Sequence, residues 1–167
     1  MVPYAPNGMP LAGFGDRFLA YLIDGLVTFG VAVVLAIPIF IAMFAVIAGT
    51  ANTDSSSAGP SILLILLFEF GYVLAILAWI YIYHVEMFGH SGVTWGKRAM
   101  KLRIIRLDDP AAPPTRGVMA RRWAVQNVAG AVVPFFSYVD GLWQLWDKPY
   151  QQCLHDKAAG TIVVKAG

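Results

Sequence analysis

Charge is scarce in this chain of 167 residues: Asp, Glu, Lys and Arg make up 13% of it, against roughly 25% in a typical soluble domain. That shortage excludes an ordinary soluble fold, and a 58% hydrophobic content with a mean hydropathy of +0.64 points to lipid as the solvent. Cysteine occurs once, at Cys153, so no intramolecular disulfide can form, and no Cys-x-x-Cys pair offers zinc or redox chemistry. His84, His90 and His155 are scattered and fit no paired-ligand pattern. No metal, cofactor or catalytic residue is therefore expected. The basic residues lie among apolar segments, not on a soluble face bearing aromatics, which argues against nucleic acid as a partner. No internal repeat links the apolar segments, so an inverted-repeat transporter is not expected either.

What the chain does have is long apolar runs. Residues 25–49 carry no charge, and about 20 apolar residues suffice to cross a hydrocarbon core. This run is too long for a signal peptide, whose apolar region is about 7–15 residues behind a basic start, and Arg17 is the sole basic residue before it. A polar stretch, residues 50–61, holds Asp54 and no Lys or Arg, and reads as the outer turn. Residues 62–83 form a second run, apolar except for Glu69, with Trp79, Tyr81 and Tyr83 placed as an interface belt. Eight Lys or Arg residues then fall in residues 89–122, so by the positive-inside rule this loop and the N-terminus are cytoplasmic.

A third apolar segment, residues 123–146, is interrupted by Gln126, Asn127, Pro134, Ser137 and Asp140. A broken or re-entrant form that returns to its own side is favoured over a single crossing, because irregular backbone at membrane depth needs protein or a cavity around it. Labelling Cys153 from outside would test that reading. Residues 101–107 and 161–164 alternate or are β-branched and predict two pairing strands. The expected fold is an all-α polytopic membrane protein with two clear transmembrane helices, a third broken or re-entrant apolar segment and a small cytoplasmic β element. Residues 1–15, rich in Pro and Gly, read as a flexible stub, and residues 16–165 as one membrane domain with spans near 18–49, 62–84 and 123–146.

Two acids stand inside the spans. Asp24 costs about 2.5–3.5 kcal/mol at helix centre unless compensated. Arg17 lies about 10 Å away along the axis at 1.5 Å per residue, so Arg121 or Arg122 is the expected partner. Asp24 is read either as an ion or proton site or as a clamp between helices. Glu69 extends the same possible ion pathway or hydrogen-bonds, protonated, to a neighbour. Residues 89–98 are glycine-rich but lack the spacing of a phosphate loop. Their Lys97, Arg98 and Lys101, with Arg121 and Arg122, predict a basic surface for anionic lipid headgroups. In Leu154-His155-Asp156-Lys157 the adjacent His and Asp do not suggest catalysis.

Three motifs in order, Gly13-Phe14-Gly15-Asp16-Arg17 leading to Asp24, Thr94-Trp95-Gly96-Lys97-Arg98, and Leu154-His155-Asp156-Lys157-Ala158-Ala159-Gly160-Thr161, resemble the RDD family of small bacterial membrane proteins. The resemblance runs from about Leu11 to Val164. It implies that Arg17 and Asp24 are the family's arginine and first aspartate, and Asp156 the second, with Asp140 as the alternative. Trp95 stands where family members usually have proline, and Asp16 beside Arg17 is expected to neutralise it in part. The resemblance further implies the bacterial inner membrane and transport of an unidentified ligand. The functional expectation is thus a small transporter or transporter subunit, ion- or proton-coupled, with Arg17 and Arg122 as counter-charges to Asp24 and Glu69. The alternative is a non-transporting scaffold whose basic surface docks a membrane partner, and a homo-oligomer fits either.

Overall fold

The computed structural model describes residues 3–50, 58–87 and 93–166. Of the expected outer turn at residues 50–61, residues 51–57 lie outside the described residues, as does His90. The fold is mostly helical, with two long apolar helices able to cross a membrane and one two-stranded sheet. Helix α1 is Phe14–Thr50 and α2 is Ala58–Tyr81, which continues through a π turn at Ile82–Glu86. Then come α3 (Trp95–Ala99), β1 (Leu102–Arg106), α4 (Arg116–Ala124), a π turn at Val125–Ala129, α5 (Gly130–Val132), α6 (Phe136–Trp143), α7 (Leu154–Ala159) and β2 (Thr161–Lys165).

The chain divides into two compact units, residues 26–80 and residues 1–25 with 81–167. The first unit is the pair of apolar helices, and its boundary at Leu26 falls where the charge-free run begins. None of the most apolar window of either helix is buried by protein, so Leu26, Phe29, Val34, Phe40 and Phe44 all face outward. A core helix of a soluble protein would hide those side chains. Within this unit the Tyr72 hydroxyl donates to the Ala32 carbonyl at 3.2 Å, joining α2 to α1.

The second unit is built around the sheet. β1 and β2 pair antiparallel from Leu102 opposite Lys165 to Arg106 opposite Thr161, as the alternation predicts. Both faces of this small sheet are apolar, because successive side chains point to opposite sides. Leu102, Ile104 and Val163 pack with Ala12, Ala20, Val85 and Met119 in one core. Ile105, Ile162 and Val164 pack with Ala5 and Leu11 in the other.

That second core corrects the expectation of a flexible stub at residues 1–15. Leu11 bridges to Val164, Ala12 N–H donates to the Val163 carbonyl at 3.0 Å and Lys165 N–H to the Pro10 carbonyl at 2.9 Å. A sheet with two apolar faces leaves one uncovered unless another segment lies on it, and the N-terminal residues do so despite their Pro and Gly content. Asp16 is also reassigned: its carboxylate takes Lys165 at 3.0 Å in place of Arg17.

Residues 123–146 do not form one continuous helix. The chain runs helically from Arg116 to Val132, leaves the helix at Val133, which is extended, and turns through Phe135 at φ 62° into α6. Proline at 134 has no N–H to give a continuing helix.

Candidate functional site: two buried ion clusters

The first cluster forms around Asp24. Its carboxylate is buried and accepts three hydrogen bonds of 2.7 Å: Oδ1 from the Tyr83 hydroxyl and the Gly96 N–H, Oδ2 from the Thr94 hydroxyl. Lys97 Nζ stands 3.6 Å from Oδ2 and donates to Thr94 Oγ1 at 3.3 Å. The Tyr83 oxygen in turn accepts from the Trp95 N–H at 3.2 Å. Local structure brings these groups together. The π turn at the end of α2 turns Tyr83 inward, and such turns often re-aim a side chain at functional sites. Asp24 then satisfies one of the otherwise free N–H groups at the start of α3.

Glycine at 96 is required by this approach. A Cβ there would overlap the Ala20 carbonyl oxygen and lie 2.7 Å from Asp24 Oδ1. Burial lowers the Lys97 pKa, Asp24 pulls it back up and Arg122 pushes it down again. The expectation that Arg121 or Arg122 answers Asp24 is therefore corrected: the cation is Lys97, within the Thr94-Trp95-Gly96-Lys97 motif. Sequence distance hid it, since α1 and α3 meet only in the folded unit.

Arg122 belongs to the second cluster. Asp156, fully buried, pairs with Arg122 through Oδ1 and with Arg17 through Oδ2 at 3.2 Å. The Cys153 N–H donates to Oδ2 at 3.2 Å. Arg17 also donates to the Val163 carbonyl at 3.3 Å, and Arg122 to the Thr161 hydroxyl. His155 extends the cluster: its N–H donates to Asp140 Oδ1 at 2.9 Å and its Nδ1 lies 2.6 Å from Oδ2. Its Nε2 is 3.5 Å from Asp156. Burial would raise the Asp156 pKa, but Arg122, His155 and Arg17 together hold it far below the usual carboxylate range. The carboxylate offsets the desolvation of both guanidiniums and they offset its own, and pairing of opposite charges with added hydrogen bonds is the condition under which buried charge is tolerated.

Cys153, His155 and Asp156 bring metal-ligand atoms within 4.8 Å of one another. The chemistry of this trio favours the ion cluster instead. Asp156 is already engaged by two arginines, and burial pushes the Cys153 thiol up to about 12. Near neutral pH the thiol stays protonated and is not an activated nucleophile. The same burial spoils Cys153 as a reporter of sidedness.

The predicted site residues thus divide. Arg17 meets Asp156, and Asp24 meets Lys97. Asp140, the alternative second aspartate, holds His155. Of the expected basic surface, Arg98, Lys101 and Arg121 are exposed, whereas Lys97 and Arg122 point inward. Glu69 lies in the other unit, exposed on α2, and is a member of neither cluster. Arg17 and Arg122 are counter-charges of Asp156, not of Asp24 and Glu69. Sequence reasoning missed Tyr83, Thr94 and Thr161 as partners. The polar Thr94 beside Gly96 was the available signal.

Fold and clusters together define a class: a small protein with two helices suited to crossing a membrane, whose remaining residues form a unit locked by buried ion pairs. The chain belongs to the RDD family, whose model matches residues 11–160. No match was found among curated proteins or among solved structures.

Proposed function

We propose that this protein is a membrane scaffold or accessory protein, anchored by α1 and α2, in which Asp24 is a structural clamp and not a transport site. The observation that carries this reading is the occupancy of the Asp24 carboxylate: three hydrogen bonds of 2.7 Å and Lys97 leave it no open position for a travelling ion. Arg98, Lys101, Arg103 and Arg121 are exposed and supply the basic surface that docks a partner or anionic headgroups.

The topology we assign is cytoplasmic for the N-terminus, β1 and β2, with residues 123–146 returning to the side they leave. Pairing of β1 with β2, and of Leu11 with Val164, supports a common side for all three segments. The cytoplasm is chosen by the positive-inside rule. An impermeant maleimide applied to intact cells should spare a cysteine introduced at exposed Lys148. Strong labelling there would refute the returning path.

Transport in a homo-oligomer is the second reading, and Glu69 is what favours it. A carboxyl exposed on the apolar stretch of α2 costs about 2.5–3.5 kcal/mol on insertion scales unless another chain answers it. Flux in sealed proteoliposomes with an internal pH dye, under sodium, potassium and proton gradients, separates the two. We expect no response from the unmodified protein. A response that Asp24→Asn abolishes in a folded protein would overturn the clamp as its main role, and one that only Glu69→Gln abolishes would favour the oligomer.

A further inference from the structure

Helix α6 and the turn after it have their polarity reversed. Asp140, Gln144 and Asp147, spaced as one helical face, are buried. Phe135 (75% exposed), Tyr138 (70%), Leu142 (42%) and Trp146 (58%) form the opposite face. A helix packed on a soluble core shows the reverse arrangement.

Asp140 and Asp147 of this polar face dock the arm onto its own unit, while Gln144 Nε2 donates to the Gly141 carbonyl at 2.8 Å. Asp140 takes the backbone and ring of His155, while Asp147 takes the Gln152 N–H at 2.9 Å and pairs with Lys157. The outward stripe continues through the break before α6, where Val132 is 74% exposed. A Cβ at Gly130 would lie 2.8 Å from Ser137 Oγ, so the two arms are packed closely, as a hairpin.

We infer that this hairpin is seated tip-first in a single leaflet of the bilayer and that its outward stripe is a lipid-contact surface. The inference rests on the membrane anchoring proposed above. Several observations favour acyl chains as the occupant. No charged residue falls between Arg122 and Asp140. From Arg122 to Val132 the first arm rises about 15 Å at 1.5 Å per residue, half of a hydrocarbon core of about 30 Å. Trp143 and Trp146, followed by Lys148, lie at the base of the second arm and are residue types that settle at headgroup level. The break carries few free donors, as Val133 N–H bonds to the Ala129 carbonyl at 2.8 Å, Phe136 N–H to the Val133 carbonyl at 3.2 Å, and Pro134 has none.

The test uses the full chain in lipid nanodiscs, with nitroxide labels on Val132→Cys, Tyr138→Cys, Leu142→Cys and Trp146→Cys in a Cys153→Ser background. Asp109→Cys serves as the exposed aqueous control. Collision with oxygen and with a water-soluble nickel chelate reads depth. The expected result is a shift from nickel towards oxygen at all four positions relative to the control, greatest at Val132 and least at Trp146. Nickel access equal to the control would overturn the proposal by placing the stripe in water. Protection from both quenchers would overturn it by placing protein there, and a nickel-accessible Val132 beyond an oxygen-rich middle would mean a full crossing. None of these results bears on the Asp24 clamp, which the flux measurement tests separately.

Discussion

Residues 26–80 and the sheet-centred unit solve the problem of solvation in opposite ways. In α1 and α2 the apolar side chains turn outward, and the Tyr72 hydroxyl donates to the Ala32 carbonyl between the helices. With the membrane anchoring proposed above, their environment is the bilayer, so nearly any apolar residue serves at nearly any position. In the other unit a set of charges turns inward, and each of these needs a specific partner at a specific distance: Asp24 with Lys97, Asp156 with Arg17 and Arg122, Asp140 with His155. The comparison teaches that sensitivity to substitution should follow partnering and not hydrophobicity.

The largest break in that contrast should come from Asp156→Asn. Two buried guanidiniums would lose their shared anion, and removing one member of a buried ion cluster costs about 3–5 kcal/mol. Thermal unfolding in detergent should show the loss, while Glu69→Gln in the apolar helix leaves the midpoint of this unit unchanged. An equal effect of the two would erase the distinction.

The same group sets a pH dependence. The folded pKa of Asp156 lies below its unfolded value, so its stabilisation is fully present above the unfolded pKa, about 3.9, and is lost as pH falls through the folded value. Stability should therefore hold from pH 8 to pH 5 as far as Asp156 is concerned, and fall below about pH 4. In Asp156→Asn that acid limb should be reduced.

A glycine pair gives the next contrast. Gly96→Ala drives a methyl into the Ala20 carbonyl and should cost about 1–3 kcal/mol, as overpacking does. Gly71→Ala in α2 meets nothing within 4 Å and should be neutral or stabilising, since alanine favours helix by about 1 kcal/mol over glycine. Thr94→Val removes one hydrogen bond to Asp24 and should cost about 1–3 kcal/mol by leaving Oδ2 short of a donor. Restoration of the midpoint by Thr94→Ser would identify the hydroxyl as the cause. The smallest effect is expected for Val34→Leu, within about 0.5 kcal/mol, because its side chain is exposed on the outer face of α1 and packs against no core.

Much of this was legible in the residues themselves. The two spans follow from long apolar runs, the strands from alternation and β-branching, and the family from three ordered motifs. Period and composition are local properties, and the elements they set are local too. The N-terminal segment was misread for the same reason: its Pro and Gly content says nothing of a sheet, about 150 residues further on, whose second face needs cover. Asp24 and Asp156 were visible as residues of interest, yet their partners were not, because a chain rich in Lys and Arg offers many candidates and spacing does not choose among them.

By itself, then, the sequence determined that the protein is suited to a membrane, where its two apolar helices lie and which short segments pair as strands, since each rests on side-chain chemistry read along the chain. Only the tertiary structure decided that Lys97 answers Asp24, that Arg17 and Arg122 share Asp156, and that the third apolar segment turns its polar face inward. Ion pairing and burial depend on distances in space, and residues as far apart as Arg17 and Asp156 come within 3.2 Å only when the sheet, the π turn and the close approach at Gly96 have fixed the positions of their helices.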